Sequence, residues 1–227
     1  MAPSISKPWP QSWLAASRFL RSIAWANQKC CKRRGVFEVL NFRIIEIDQG
    51  SAEWLEWRRS GIGASDAPTI MRQNPWKTVE QLRHEKQNPK FENRANAAMQ
   101  RGTLLEPSAR RDYCSRYNID MQPSCIESVT IPWMKCSLDG INIDKNRAIE
   151  IKCGQSSFKY TRRTNSVPDY YYGQLQHILS ITGYESIDYW SYLPLTSPIL
   201  INVARDERYI ETLIDREEAF WNSIQID

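Results

Sequence analysis

The sequence predicts an α/β (α+β) domain in which strands and helices interleave around one core. Three features point to it. Short stretches with apolar residues at alternate positions, such as Phe42–Ile47, Ile141–Ile143 and Ala148–Cys153, read as strands. Between them lie longer segments with capping residues and helical spacing of apolar side chains. A chain of 227 residues with 41% hydrophobic content can bury one substantial core, while it holds no uninterrupted apolar run near the roughly 18 residues of a membrane span. No secretory apolar stretch opens the sequence either, because Ser17, Arg18, Arg21 and Ser22 interrupt Trp13–Trp25. A cytoplasmic protein is expected.

Charge divides the chain. The net charge is +4, yet residues 1–37 hold seven Lys or Arg and no acid, which leaves −3 for the remainder. Residues 1–40 therefore read as a basic N-terminal extension, partly disordered, and residues 41–227 as the domain proper. The extension has the composition of an amphipathic basic helix, of a transit peptide, or of an upstream start in the reading frame, and its Lys29–Arg34 cluster could touch phosphates. Since the body is not basic, nucleic-acid binding must rest on local sites.

Along the body, strand Phe42–Ile47 leads to Ser51, which can cap a helix carrying Trp54, Trp57 and Arg58 and ending at Gly61. The loop Gly61-Ile62-Gly63-Ala64-Ser65-Asp66 follows. Its backbone N–H groups, with Ser65 capping a second helix and Arg58 or Arg59 beside it, could receive an anion; an ordinary helix–loop–helix turn would look the same. Thr78 and Gln81 have capping-box spacing and start a helix whose charges read as a solvated face, ended by Asn88-Pro89. Asn96–Tyr117 reads as a long helix burying Ala97, Ala98, Leu104, Leu105, Ala109 and Tyr113, bent or restarted at Pro107. Glu106 among those apolar residues needs a cation, either a metal or Arg101 or Arg110, and position alone favours an arginine. Ile126–Trp133 is a strand candidate, Ser156–Pro168 a basic loop, and Asp169–Ile181 a helix stopped by Gly183, with Tyr171, Gln174 and His177 on one side. Strands Tyr184–Leu193 and Ile199–Val203 and a helix from Asp206 complete the pattern.

The chemistry concentrates at Ser137–Lys152. Two short strands joined at Asp144-Lys145-Asn146 place Glu150 and Lys152 on one face, with Ile149, Ile151 and Cys153 on the other, and bring Asp139 close to Glu150. Paired carboxylates hold Mg²⁺ through hard oxygen ligands at about 2.1 Å, and a nearby lysine can orient water and offset phosphate charge. A surface hairpin with a cross-strand ion pair is the bland alternative. Two histidines and six cysteines without a C-x-x-C pair argue against zinc, so Mg²⁺ or Mn²⁺ is the expected metal.

Asp139…Glu150-Ile-Lys152 resembles the PD-(D/E)xK nuclease superfamily. Together with Trp54-x-x-Trp-Arg58-Arg-Ser-Gly-Ile-Gly-Ala-Ser65, Arg101-Gly-Thr-Leu-Leu-Glu106, Ser137-Leu-Asp139-Gly and Tyr171-Tyr-Gly-Gln174-Leu-Gln176, the order of motifs over residues 42–225 resembles the phage lambda exonuclease family, the YqaJ-type viral recombinase nucleases.

That resemblance implies a restriction-endonuclease-like core with a central mixed β-sheet flanked by helices. It implies a 5′-to-3′ exonuclease that digests linear double-stranded DNA with two Mg²⁺ ions, Mn²⁺ as a substitute, leaving 3′ overhangs for a single-strand annealing protein. A homotrimeric ring and a phage or prophage origin in a bacterial host are implied too. Carried over by residue, Asp139, Glu150, the backbone carbonyl of Ile151 and Glu106 match metal ligands, which displaces the arginine reading of Glu106. Lys152 matches the catalytic lysine, Gln174 and Tyr171 the helix residues holding water or the scissile phosphate. Arg58, Ser65 and the Gly63-Ala64 backbone match the 5′-phosphate pocket, with Gly63 standing where a hydroxyl is expected. An endonuclease of the same superfamily and a catalytically idle DNA-binding module are the alternatives.

Overall fold

The computed structural model describes residues 40–88 and 97–225, with backbone alone for residues 97–99. The expectations for residues 1–39 and for Asn96 lie outside the described residues. The strands form one seven-stranded mixed sheet: β1 (Phe42–Ile45), β2 (Ile62–Gly63), β3 (Gln122–Ser128), β4 (Met134–Asn142), β5 (Arg147–Lys152), β6 (Ser186–Ser191) and β7 (Ile199–Ala204). Their order is β1-β3-β4-β5-β6-β7, with β2 pairing the start of β4. Neighbours are antiparallel except β5–β6 and β2–β4. A parallel neighbour needs a crossover. Helices α5 (Gln155–Thr164) and α6 (Asp169–Thr182) supply it between β5 and β6. This is the mixed α/β architecture expected.

The remaining helices are α1 (Ala52–Arg59), α2 (Ala67–Ile70, after a 3₁₀ turn at Ala64–Asp66), α3 (Val79–Gln87), α4 (Ala97–Tyr117) and α7 (Glu207–Ile224). Several begin where the caps predict. Ser51 Oγ accepts the Trp54 amide at 3.0 Å, Thr78 and Gln81 exchange capping-box bonds, and Asp206 accepts the Tyr209 amide at 3.0 Å. Gly183 ends α6 in the left-handed conformation with φ 72°. The sheet is packed on both sides. Cys136, Leu138, Ala148, Leu175, Ile178 and Leu179 share the α6 side, and Ala109, Tyr113, Met121, Ile149, Ile151 and Trp190 share the α4 side.

Five expectations need correction. Ser156–Pro168 is not a loop but mostly α5, because Phe158 and Thr161 bury on one face while Lys159, Arg162 and Arg163 stay outside. β3 stops at Ser128 and residues 129–133 turn, so the strand does not reach Trp133. α4 runs on through Pro107, whose ring is exposed, so the helix does not restart there. Leu104 is 80% exposed; the buried stripe is Leu105, Ala109 and Tyr113 at four-residue steps, and Leu104 lies about 100° away from it. Finally, Ser65 does not cap a helix, since Asp66 Oδ2 instead takes the Gly63 amide at 3.0 Å.

Candidate active site

The site forms where β4 and β5 part. Their ladder runs from Asn142↔Arg147 to Gly140↔Ile149, and β5 then continues beside β6 alone as far as Lys152↔Ser191. At the point of separation the Ile151 amide is accepted by the side chain of Asp139, Oδ2 at 2.7 Å, in place of a backbone carbonyl. A bulge prepares this. Between the pairs Ser124↔Leu138 and Gln122↔Ile141, β3 advances two residues and β4 three, so the extra residue falls at Asp139-Gly140. Only glycine fits beside it: a Cβ on Gly140 would lie 2.9 Å from Ile149 Cγ1 and 3.0 Å from Met121 Cβ. Arg110 of α4 donates through Nε to the Asp139 carbonyl, tying the helix to the bulge.

Six residues singled out in the sequence converge here. The carboxyl groups of Glu106 of α4 and Asp139 of β4 are neighbours, each acting on the other's proton. Glu150 Oε1 accepts from Lys152 Nζ at 2.5 Å and from Gln174 Nε2 at 2.5 Å. Lys152 Nζ also reaches Gln174 Oε1 at 3.3 Å and stands 4.6 Å above the ring of Tyr171. Both come from the first half of α6, while the Ile151 carbonyl belongs to the residue between Glu150 and Lys152. His177, on the same side of the sequence pattern as Tyr171 and Gln174, is not part of the cluster; it is fully buried against Glu217, with Nδ1 2.8 Å from Oε1.

Crowding acids in a dry notch changes their affinity for protons. Burial, reinforced by the neighbouring Glu106 charge, pushes Asp139 up to about 7. Burial and then Asp139 push Glu150 up to about 7 against the opposing pull of Lys152. Burial raises Glu106 as well. Lys152 behaves oppositely: burial disfavours its charge, but Glu150, Tyr171 and Asp139 outweigh that and hold its proton above the ordinary lysine range.

A divalent cation suits this donor set. The oxygens are hard ligands, Glu150 Oε2 is buried without a protein partner, and a cation would offset the cost of burying these carboxylates charged beside one another. Among the described residues no three His, Cys, Asp or Glu side chains stand as a ready ligand shell. The reason is visible in the bonds: Glu106 and Asp139 face each other, and Glu150 is turned to Lys152 and Gln174.

A second cluster lies at the end of α1. Arg58 Nη2 donates to Ser65 Oγ at 2.6 Å, with its guanidinium 4.5 Å above Trp54. Ser65 is exposed and Gly63 and Ala64 are buried. Trp54 Nε1 donates to Ser137 Oγ at 2.8 Å, linking this cluster to the strand that carries Asp139. Gly61 is obligatory, because a Cβ there would meet the Trp133 carbonyl at 2.5 Å.

Two lysines that the sequence pattern passed over fix this loop. Lys86, on the helix face read as solvated, is buried: Nζ donates to the carbonyls of Arg58 and Gly61 at 3.0 and 2.7 Å and pairs with Asp66 at 2.7 Å. Lys135 Nζ donates to the Trp57 carbonyl at 3.0 Å and to Ser60 Oγ. Together they satisfy carbonyls at the C-terminus of α1. Burial works against the Asp66 charge, but the Lys86 and Arg58 charges, with hydrogen bonds from Lys86 and the Gly63 amide, prevail, lowering it to about 2. The sole sequence signal was local. Lys86 lies four residues after Leu82, on the stripe that faces the core.

A family profile for YqaJ-like viral recombinase domains matches residues 53–185, more than half of the chain, and spans both clusters from α1 to the end of α6. The chain belongs to the YqaJ-like viral recombinase family. It is 26% identical over 176 residues to the uncharacterized protein YqaJ of Bacillus subtilis (strain 168), covering 75% of this chain and 55% of that relative's length. The structure is similar to an alkaline exonuclease, LHK-Exo, from Laribacter hongkongensis, with TM-score 0.68, 26% identity and coverage of 77% of this chain and 93% of that one. It is also similar to LHK-Exo in complex with dAMP, with TM-score 0.66, 25% identity and the same coverage. The fold is thus the one found in an alkaline exonuclease, with a core of the PD-(D/E)xK kind. Among the described residues no helix is long and apolar enough to cross a membrane.

Proposed function

We propose that the protein is a Mg²⁺-dependent exonuclease that digests linear double-stranded DNA from 5′ ends and leaves 3′ single-stranded overhangs. The observation that carries this reading is the meeting of Glu106, Asp139, Glu150 and Lys152 at one notch from three separate elements. Asp139, Glu150, the Ile151 carbonyl and Glu106 would hold the metal, two ions when fully loaded, with Mn²⁺ a substitute. Bound there, the cation would activate water and offset charge on the phosphate.

The chain's own groups do the rest. Lys152, held by Glu150 and Gln174 over Tyr171, is placed to orient the attacking water and to meet developing negative charge. Gln174 offers an amide to water or to a phosphate oxygen. Arg58 and Ser65, with the Gly63-Ala64 backbone, would receive the 5′ phosphate, and a pocket for a terminal group makes the enzyme act at ends. The dAMP complex of LHK-Exo supports a nucleoside monophosphate as the product class here. A homotrimeric ring, an annealing protein that takes up the 3′ strand, and action in the cytoplasm of a phage-bearing bacterium complete the proposal.

Digestion of linear and covalently closed circular DNA of one sequence tests it. Loss of the linear form with the circle intact is expected; nicking of the circle at a comparable rate would make the protein an endonuclease.

A further inference from the structure

Cationic groups also gather away from the two clusters. Between the turn after α2, α3 and α7 lies a cleft of about 410 Å³ edged by Arg72, Arg83 and Arg216 over an apolar floor that includes Phe220. Three separate segments contribute the guanidinium groups. They do so in a body that is slightly acidic: residues 1–39 carry +6 of the chain's +4, leaving −2 for residues 40–227. Concentrating like charge against that background is unfavourable unless an anion answers it. Glu80, exposed on α3, is an acid that feels both Arg72 and Arg83. Arg83 gives Nη2 to Ser223 Oγ at 3.2 Å while its Nε is buried without a protein partner, and Arg216 Nη1 stands 3.5 Å from the Met71 carbonyl. Arg72 is held at φ 60°, a left-handed conformation rarely adopted by a residue of this kind.

The segment that carries Arg72 also carries Trp76, which is 70% exposed. Its ring meets Tyr170 edge-on at 4.7 Å, Tyr170 meets Tyr171 at 4.6 Å, and Tyr171 lies beneath Lys152. An aromatic row therefore leads from the catalytic notch to the arginine-bearing turn. Gln73 Oε1 is 3.2 Å from the position a Cβ would take on Gly173, the neighbour of Gln174. An exposed indole on the segment that also gives the groove one of its arginines, with half-buried Tyr170 and Tyr171 behind it, suits single-stranded nucleic acid, whose bases are free to stack and whose phosphates match guanidinium forks. A closed duplex offers Trp76 no free base. An acidic peptide would use the arginines and leave the aromatic row without a role.

We propose that Trp76 and the Arg72–Arg83–Arg216 cleft form a path for one unpaired DNA strand outside the catalytic notch. The path deepens the nuclease reading, since the duplex under digestion is the source of that strand. Affinity of the full chain for a fluorescent 5′-hydroxyl oligothymidylate, measured without divalent cation over a range of salt, tests it. The paired variant Arg72→Asn with Arg216→Ala alters two exposed positions and keeps a residue at ease at positive φ. It should weaken binding about tenfold and reduce the salt slope by about 1.4. Trp76→Ala should weaken it about tenfold with the slope unchanged, and Trp76→Phe should retain most of the affinity. Unchanged affinity in these folded variants, or no binding by the unaltered protein, overturns the path. Loss of binding to a polyglutamate peptide without loss of oligonucleotide binding also overturns it and assigns the cleft to an acidic protein. Metal-dependent digestion of linear duplex is scored alongside. Its absence in the unaltered protein refutes the nuclease reading alone, whereas digestion with variant-insensitive strand binding refutes the path alone.

Discussion

At the residue scale, the notch is a place where charges are held against their preference. Lys152 stays protonated because Glu150 and Asp139 surround it, and those acids take up protons more readily because they are buried together. Replacing Lys152 with Ala should lower the rate of cleavage by about 10²–10⁴ while DNA binding persists, a loss of the size expected for a general acid or base. Turnover and a gel-shift assay on one preparation separate the two effects. The proton balance has a sign. Asp139 and Glu150 have folded-state values raised to about 7, so the metal-free fold binds more protons than the unfolded chain between about pH 4 and 7. Their contribution to stability is present at the acid end of that window, falls as pH rises through about 7, and stays low above it. A divalent cation competes for the same oxygens. Added Mg²⁺ should therefore raise Tm more at about pH 8 than at about pH 5.5, and a larger shift at the lower pH would refute the assignment of these ligands. At the other cluster, Arg58→Ala should cost about tenfold to a hundredfold on 5′-phosphorylated ends and much less on 5′-hydroxyl ends, in line with loss of a charge-assisted contact. Gly63 adds a gain-of-contact test. A Cβ there would stand 3.8 Å from the Arg58 guanidinium without a clash, so Gly63→Ser should fold normally and sharpen the preference for phosphorylated ends, read as the ratio of the two rates.

At the scale of elements, the bulge in β4 and the divergence of β5 turn a sheet edge into a notch, while α4 and α6 bring side chains to it. Alternation along Ala148–Lys152 was enough to set Glu150 and Lys152 on one face. It could not show the bulge, which depends on how β3 is registered against β4. The helix α5 was hidden for a similar reason: Ser157, Phe158 and Thr161 bury only because the sheet lies beneath them, and by composition the segment is polar. Glu106 was visible as an acid on an apolar face, yet its position favoured an arginine; the resemblance grouped it with Asp139, and the fold brings the two side by side. Lys86 read as part of a solvated face, and Lys135 was not singled out, because their carbonyl acceptors are distant in the chain. Lys86 gives the clearest test at this scale. Removing its ammonium leaves Asp66 charged and buried, so Lys86→Ala should destabilise the fold by about 3–5 kcal/mol, and adding Asp66→Asn should recover part of the loss. Equal stability of Lys86→Ala and the unaltered protein in urea would show that the buried pair does not hold the α1 end.

At the scale of the whole molecule, the body is too weakly charged to hold DNA by bulk attraction, so local contacts and, as proposed, enclosure in a trimeric ring must supply the grip. The order of motifs from Trp54 to Gln176 was legible as a resemblance, whereas subunit contacts leave no comparable mark in one sequence. The most direct test of the central claim, that Glu106, Asp139 and Glu150 with Lys152 cut DNA from its ends, uses a linear duplex labelled at one 5′ end and incubated with and without Mg²⁺. Release of labelled mononucleotide only with Mg²⁺, and none from a folded Asp139→Asn variant, is the expected result. Release without metal, or equal release by the Asp139→Asn variant, would contradict it.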